Sequence, residues 1–350
     1  MKKILFTGGG SAGHVIPNIA LMEELLSEGK TDVCYIGTGG IEKRLVTEWK
    51  IPFFEIDCPK LVRGGGWKGV KRNLKIPFAF HRAVKKAKQG LLTFQPDAVF
   101  SKGGYVALPV VTAARKLKIP CFAHESDYSL GLANKLSARA CRYVFTSFPE
   151  TAKRLKKRGK YSGAPLRRSV LSASRAESRM RLGIDFDKTV VLIFGGGSGS
   201  QTINKAVREN LKTLTEKYVI LHVCGKGNLV KCNLKNYLQF EYFSDMGIAY
   251  AAADAVVSRA GAGTVFEILA LKKPALFIPL EGQTRGDQAQ NATYFKKQGL
   301  CHILRQNELN HLPQAIENLL LDETLKTRLR ECDFEGGNAN ILREIREAIQ

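Results

Sequence analysis

The chain has 350 residues, 44% of them hydrophobic, and its 54 basic against 32 acidic residues give a formal net charge of +22. This length predicts two domains with buried cores, and the charge predicts a polyanionic partner, either nucleic acid or an anionic membrane surface. Eight cysteines without a C-x-x-C pair exclude a disulfide framework and favour reduced thiols, and no stretch approaches the ~18 apolar residues of a membrane span.

The first half of the chain alternates short apolar runs with helical segments. Lys3–Phe6 is a predicted strand rather than a signal peptide, because glycines follow it at once. Apolar residues at helical spacing predict a helix over Ile16–Ser27, and a second strand follows at Val33–Ile36. Further strands are predicted at Ala98–Phe100, Cys121–Ala123 and Tyr143–Phe145. This alternation is typical of an α/β fold with a parallel, doubly wound sheet.

A strand followed by the sequence Gly-Gly-Gly-Ser occurs twice in the chain. The strand Thr189–Phe194 runs into Gly195-Gly196-Gly197-Ser198, as the first strand runs into Gly8-Gly9-Gly10-Ser11, 187 residues earlier. The repeat predicts two similar Rossmann-like domains, each with a ligand edge, that face each other across a cleft. Glycine, proline and basic residues cluster over 156–168, which places the predicted domains at 1–162 and 163–337, followed by a C-terminal helix at 338–350.

A βαβ unit is predicted around 255–279. A buried strand, 255–257, is followed by a small-residue turn, a helix that starts with Thr264 as N-cap, and a strand over 274–279. The helix N-terminus lies at the carboxyl edge of the sheet and suits a phosphate. Thr264 and Glu267 also fit a capping box, in which Glu267 only caps the helix, so this stretch alone leaves both interpretations of Glu267 open.

The run of Arg259, Gly-Ala-Gly-Thr, Glu267, Gln288 and Asn291 resembles the nucleotide-sugar signature of glycosyltransferases with two facing Rossmann-like domains, the GT-B fold. More closely it resembles the MurG family of cell-wall N-acetylglucosaminyltransferases, in glycosyltransferase family 28. The loop 9–14 is similar to the family's GGTGGH, with Ser11 and Ala12 in place of Thr and Gly, and 163–167 is similar to its G-x-P-x-R.

The resemblance implies that the helix at 338–350 packs back on the first domain. It also implies a binding site for UDP-N-acetylglucosamine (UDP-GlcNAc). Glu267 would hold the ribose hydroxyls, Gln288 would recognise the sugar, and the backbone at Phe243 would meet the uracil. Gly197 stands where the family usually has serine, with Ser198 next to it. The remaining residues implied for the donor are Ser11, Ala12, Gly13, Arg167, Ala262, Gly263, Thr264 and Asn291.

Two residues are candidates for the general base. His14 ends the first glycine loop, and an imidazole with a pKa near 6.5 can take a proton from a sugar hydroxyl or face the pyrophosphate; a lone histidine is otherwise an ordinary residue of a first helical turn. Glu125 lies in His124-Glu125-Ser126-Asp127, which resembles the family's His-Glu-Gln-Asn, although Asp127 also suits a helix cap. The resemblance implies an acceptor side made of Gly103, Gly104, Tyr105, Asp127 and Asn134.

No metal or other cofactor is predicted. Asp185-Phe186-Asp187 has the D-x-D pattern of metal-dependent glycosyltransferases, but it precedes the strand 189–194 and therefore lies at the edge opposite the ligand. Helix N-termini and Arg167 are expected to stabilise the leaving UDP instead.

Ten basic residues and no acidic one lie between Cys58 and Pro96. Such a run is usually a solvated face, but the interleaved aromatic residues favour reversible binding to an anionic leaflet, at about 1 kcal/mol for each Lys or Arg. The predicted membrane face comprises Trp67, Lys68, Lys71, Arg72, Lys75, Phe78 and Phe80.

The resemblance therefore implies an inverting transferase that moves N-acetylglucosamine from UDP to the C4 hydroxyl of the muramyl sugar of lipid I. It would act as a peripheral protein at the cytoplasmic face of the membrane, without nucleic acid. A glycolipid synthase of the same fold and a basic nucleic-acid-binding module are the alternatives. A nicotinamide oxidoreductase is disfavoured, because the second strand ends in Ile36-Gly37-Thr38 with no acid.

Overall fold

The computed structural model describes residues 1–60, 73–197, 199–282, 286–334 and 336–349. The chain forms two compact units, one of Met1–Arg167 with Gly336–Gln350 and one of Arg168–Glu335. The first unit extends beyond residue 162 because the segment that follows is hydrogen-bonded into it. His124 Nε2 donates to Gly163 O at 3.0 Å, and Gly337 N donates to Ala164 O at 2.7 Å.

Thirteen strands are described. Those of the first unit are β1 Lys2–Thr7, β2 Thr31–Gly37, β3 Phe53–Glu55, β4 Ala98–Ser101, β5 Cys121–Glu125, β6 Tyr143–Thr146 and β7 Gly159–Tyr161. Those of the second are β8 Val190–Phe194, β9 Val219–Val223, β10 Tyr237–Phe240, β11 Ala255–Ser258, β12 Ala275–Phe277 and β13 His302–Ile303.

Sixteen α-helices are described, with a 3₁₀ turn at Lys156–Arg158 and another at Gln306–His311. The first six are α1 Ala12–Glu28, α2 Ile41–Thr47, α3 Ile76–Phe94, α4 Ala107–Lys116, α5 Leu132–Ser137 and α6 Pro149–Arg154. The next five are α7 Arg168–Leu171, α8 Arg175–Leu182, α9 Gln201–Glu209, α10 Leu211–Lys217 and α11 Met246–Ala252. The last five are α12 Ala262–Ala270, α13 Asp287–Lys297, α14 Leu312–Leu321, α15 Glu323–Glu331 and α16 Asn338–Ala348.

Each unit contains one parallel sheet. The strand order is β3-β2-β1-β4-β5-β6-β7 in the first unit and β10-β9-β8-β11-β12-β13 in the second. All described pairings are parallel, as in β1 with β4 and β8 with β11. The fold class predicted from the sequence, two doubly wound parallel-sheet domains, is confirmed.

Apolar residues on both faces of the first sheet explain why helices cover it on both sides. Ile4 and Phe6 of β1 pack in one core cluster with α1 and with Ile341 and Ile345 of α16. Leu5, between them, faces the opposite cluster, which contains residues of α3 and α4. Alternate residues of one strand thus belong to two cores.

The final helix, α16, is part of the first unit. Its buried isoleucines pack in the core of that unit. Two polar contacts also hold the helix: Asn338 Nδ2 donates to Leu166 O at 3.0 Å, and Glu344 pairs with Lys160. In the described part of the chain, no helix combines the length and apolarity that crossing a membrane requires.

Two predicted helix starts are wrong. α1 begins at Ala12 rather than Ile16, because the glycine loop turns directly into the helix. α12 begins at Ala262, with Gly261 at the N-cap position, so Thr264 is the third helical residue rather than the cap. Glu267 then lies six positions after the N-cap, which removes the capping-box geometry.

Candidate functional site

Each unit places two loops side by side at the carboxyl ends of adjacent strands. In the first unit these loops follow β1 and β4, and in the second they follow β8 and β11. The chain leaves the central strand toward one side of the sheet and later returns to the other side, which makes these pairs topological switch points. Open α/β sheets bind ligands at such points.

In the second unit, the N-terminus of α12 faces open space. Gly261 provides no side-chain cap, and the first helical bond runs from Val265 N to Gly261 O at 3.0 Å. A Cβ atom added at Gly261 or Gly263 would meet no heavy atom of the described residues within 4 Å. The N–H groups of residues 262–264, together with the positive end of the helix dipole, can therefore receive a phosphate.

Arg259 joins three strand ends beside this helix. Its Nη1 donates to Ile278 O at 3.0 Å and to Pro279 O at 3.2 Å, beyond β12, and its Nη2 donates to Ser200 Oγ at 2.9 Å, beyond β8. The side chain is buried, and this burial lowers the pKa of Arg259. The guanidinium holds the second glycine loop in place and carries positive charge at the candidate phosphate site.

Glu267 lies on α12, half-buried, and accepts a hydrogen bond from the Tyr250 hydroxyl at 3.1 Å. Gln288 and Asn291 project from α13 toward the neighbouring loops. Gln288 Oε1 accepts from Leu280 N at 2.9 Å, and Asn291 Nδ2 donates to Ala260 O at 3.3 Å. Because Asn291 is fully buried, its contact supports the loop after β11.

Of the other donor residues that the resemblance implies, Gly197 and Phe243 follow strands of the second unit, and Arg167 belongs to the first unit. Gly197 is exposed, and a Cβ atom there would meet nothing within 4 Å in the part of the chain that the structure describes. Phe243 follows β10, with its ring edge-on to Phe240 at 4.9 Å. Arg167 is half-buried and ends the Met1–Arg167 segment of the first unit. Ser198 lies outside the described residues.

In the first unit, the glycine loop places a histidine at the start of α1. Ser11 Oγ lies 2.8 Å from His14 Nδ1, which fixes the imidazole orientation. Ala12 and Gly13 already belong to α1, so Ala12 needs no left-handed backbone there. The serine–histidine pair is partly exposed and can reach a bound hydroxyl.

The loop after β4 packs directly on this glycine loop. A Cβ atom at Gly10 would lie 2.7 Å from the Tyr105 ring, and one at Gly104 would lie 2.3 Å from Gly9 O. Gly103 and Gly104 both have positive φ, at 85° and 80°. The structure therefore brings His14 and the predicted acceptor loop to one place.

Glu125 is buried and accepts three hydrogen bonds from its own loop. Oε1 accepts from Asp127 N at 3.1 Å, and Oε2 accepts from Gly131 N at 2.7 Å and from Asn134 Nδ2 at 3.0 Å. A second bond from Asn134 Nδ2 reaches His124 O at 3.0 Å. These contacts between Glu125, at the end of β5, and Asn134, on α5, fix the loop that connects the two elements.

Lys102 is a buried cation at the same edge. Its Nζ donates to Ser126 Oγ at 2.7 Å, and its N–H donates to Thr7 O at 2.8 Å. Burial lowers the pKa of Lys102 to about 8, and the carboxylates of Glu125 and Asp127 oppose this shift. Burial, with the charge of Lys102, holds the pKa of His124 well below 6.5, so His124 is neutral at neutral pH.

An internal carboxylate lies against the first glycine loop. Glu42 is fully buried and accepts from Thr38 N at 3.0 Å and Gly10 N at 3.4 Å. Glu42 thus lies near the end of β2, although the strand itself ends at Gly37 without an acid, as the sequence indicated. Its inward orientation makes this loop a poorer phosphate site than the loop of the second unit.

The predicted membrane face lies partly on α3. Phe78 is 77% exposed, whereas Phe80 is half-buried and packs against the core. Lys75 precedes the helix and is exposed. Arg82, Lys85, Lys86 and Lys88 are exposed as well. Trp67, Lys68, Lys71 and Arg72 lie outside the described residues.

Among the described residues, no three His, Cys, Asp or Glu side chains are grouped so that they could hold a metal ion. The D-x-D segment lies before β8, where the carbonyls of Asp185 and Phe186 accept hydrogen bonds from Arg179 at 3.4 and 2.9 Å.

Three residues of these edges were missed or given no role from the sequence: Glu42, Lys102 and Tyr250. For two of them the local signal was position, since Lys102 directly follows β4 and Glu42 lies in the first turn of α2. Tyr250 lies in a segment that resembles the family, but nothing local indicated its contact with Glu267, 17 residues away.

Comparisons with known proteins agree with this geometry. The model of the glycosyltransferase family 28 N-terminal domain matches residues 4–146, and that of the family 28 C-terminal domain matches residues 190–342. A protein of Clostridium botulinum (strain Langeland) is 44% identical over 315 residues, which cover 88% of either chain. It is named UDP-N-acetylglucosamine--N-acetylmuramyl-(pentapeptide) pyrophosphoryl-undecaprenol N-acetylglucosamine transferase.

A Bacillus thuringiensis subsp. konkukian protein, named as a second transferase of the same description, is 41% identical over 99% of this chain and 100% of its own. Among solved structures, Acinetobacter baumannii MurG matches with a TM-score of 0.76 and 28% identity, covering 99% of this chain and 100% of that one. A kitacinnamycin glycosyltransferase matches with a TM-score of 0.74 at 15% identity, a likeness of fold alone.

Proposed function

This chain belongs to glycosyltransferase family 28, and from that premise we propose that it is the N-acetylglucosaminyltransferase that converts lipid I to lipid II in peptidoglycan synthesis. It transfers N-acetylglucosamine from UDP-GlcNAc to the C4 hydroxyl of the muramyl sugar of lipid I. The observation that carries the proposal is the carboxyl edge of the second unit, where α12 has an uncapped N-terminus and carries Glu267 on its second turn.

In this proposal the second unit holds the donor. The N–H groups of 262–264 and the cation of Arg259 receive the diphosphate, Glu267 accepts from the ribose hydroxyls, and Gln288 faces the sugar. Positive charge and oriented N–H groups stabilise the UDP that leaves with the bonding electrons of C1–O, and no metal takes part in the proposed step. The loop near Phe243 receives the uracil.

His14 is proposed as the general base on the acceptor side. It takes the proton of the C4 hydroxyl as that oxygen attacks C1 of the donor sugar, so configuration at C1 inverts. The three hydrogen bonds that Glu125 accepts from its own loop favour His14 over Glu125. Gly103, Gly104 and Tyr105, which pack on the loop before His14, are proposed to face the acceptor.

The proposed location is the cytoplasmic face of the membrane, with α3 as a peripheral contact. Phe78 provides an exposed apolar side chain on the helix that also carries the exposed Arg82 and three exposed lysines. Flotation with vesicles tests this point. Binding should require anionic lipid and weaken in Phe78→Ala, and equal binding to neutral vesicles would contradict it.

The donor half is tested by calorimetric titration with UDP-GlcNAc. Wild type should bind, Glu267→Ala should lose most of the affinity, and Glu216→Ala, which removes an exposed glutamate of the same unit, should behave as wild type. No binding by folded wild type would refute the proposal.

The catalytic half is tested by following UDP release with a water-soluble lipid I analogue. His14→Asn should lower kcat by about 10²–10⁴-fold and leave donor affinity unchanged. His311→Asn, an exposed histidine in the second unit, is the control. Loss of rate in Glu125→Gln but not in His14→Asn would assign the base to Glu125.

A further inference from the structure

Tyr250 is a buried tyrosine that contacts Glu267, the acid proposed to bind the ribose hydroxyls. Tyr250 is 1% exposed, and its hydroxyl donates to Glu267 Oε2 at 3.1 Å. The phenol thus approaches the carboxylate from the protein interior. A hydrogen bond from a buried donor restricts the orientation of the carboxylate that accepts it.

The ring of Tyr250 is itself held in place. It lies edge-on to Phe194, with ring centroids 6.0 Å apart and planes at 72°, and Phe194 is the last residue before the second glycine loop. The same aromatic contact therefore links the acid on α12 to the end of β8.

The helix that carries the tyrosine is also fixed. Asp245 caps α11 by accepting from Gly247 N at 3.0 Å. Gly247 allows close approach to the neighbouring backbone, because a Cβ atom there would lie 2.5 Å from Ser169 O. Tyr250, one turn later, has little freedom to move away from Glu267.

Ordering of the acid before the ligand arrives has a thermodynamic consequence. A glutamate that must be immobilised on binding weakens the affinity by an amount that corresponds to about 2- to 12-fold for one flexible side chain. A phenol that already fixes the carboxylate removes much of this loss. Only ligands with ribose hydroxyls benefit, because only they use the carboxylate.

We infer that Tyr250 is a positioning residue that orients Glu267 toward the ribose hydroxyls and thereby sets the preference for ribonucleotides over their dideoxy analogues. The inference rests on the proposed function, since it requires Glu267 to bind ribose.

The test compares dissociation constants of UDP and 2′,3′-dideoxyuridine diphosphate by calorimetry. Wild type should prefer UDP, and Glu267→Gln should abolish the preference. Tyr250→Phe should weaken UDP about 3- to 10-fold and leave the dideoxy analogue unchanged. In the transfer assay, it should raise the KM for UDP-GlcNAc without changing kcat or the acceptor KM.

The matched control is Tyr237→Phe. Tyr237 is another buried tyrosine of the second unit, and its hydroxyl lies 2.9 Å from His222 Nδ1. It should leave both dissociation constants unchanged, and a thermal melt of each variant reports folding.

Equal weakening of both ligands in Tyr250→Phe, or no weakening at all, overturns the inference and leaves the proposed function intact. A wild type that binds both ligands equally overturns the ribose role of Glu267 and the inference with it. A wild type that binds neither ligand refutes the proposed function itself.

Discussion

Replacement of Gly104 by alanine tests the contact between the two loops of the first unit. Gly104 has φ of 80°, and its Cβ atom would lie 2.3 Å from the backbone oxygen of Gly9, about 1 Å short of ordinary contact. The left-handed backbone costs an alanine about 1–2 kcal/mol. Overpacking against a backbone atom costs a further 1–3 kcal/mol or so, which gives a total of about 2–5 kcal/mol.

The matched control is Gly29→Ala, in the same unit. Gly29 has φ of 65°, but its Cβ atom would meet no described heavy atom within 4 Å, so only the backbone cost remains. Urea denaturation should show a larger loss for Gly104→Ala. Since Tyr105 lies against Gly10, we also expect a higher acceptor KM and an unchanged donor affinity. Equal losses of stability in the two variants would refute this account of the contact.

Burial lowers the pKa of His222 to about 4, so between pH 6.5 and 4 only the unfolded chain takes up this proton and the folded state loses stability as the pH falls. In His222→Gln, the unfolding free energy should therefore fall by up to about 3 kcal/mol less between pH 6.5 and 4 than in wild type, as measured by urea denaturation at several pH values. Asp254→Asn leaves the fully buried guanidinium of Arg179 without its carboxylate and should cost about 3–5 kcal/mol, whereas Glu317→Gln, in an exposed pair, should cost less than about 1 kcal/mol. Gly197→Ser adds a hydroxyl where no described residue comes within 4 Å of the new Cβ atom, so UDP affinity should stay equal or rise; a calorimetric loss would show that this space is needed.

The sheets were predictable because their strands are buried on both faces. Such strands appear as continuous apolar runs, and Val190–Phe194 is buried at every position. The repeated strand and glycine loop allowed a second domain of the same kind to be predicted. The start of α12 was not predictable from the same kind of pattern, since Ala262 lies between two glycines, which favour a turn, and Thr264 with Glu267 imitates a capping box.

Contacts between distant residues explain the rest of what was missed. Glu42 reaches Gly10, 32 positions earlier, and Lys102 reaches Ser126, 24 positions later. No local periodicity records such pairs, because they form only when neighbouring strands bring their ends together. The acid near β2 was overlooked because it lies on the following helix rather than at the strand end.

The first unit is assembled from two separated stretches of chain, with the whole second unit between them. During synthesis, the second unit therefore leaves the ribosome before α16 does. Until then the apolar face that receives Ile341, Leu342 and Ile345 has no cover, and exposed surface of this kind promotes aggregation. We expect the later-made unit to complete its folding first, and the earlier-made unit to depend on chaperones until its last helix arrives.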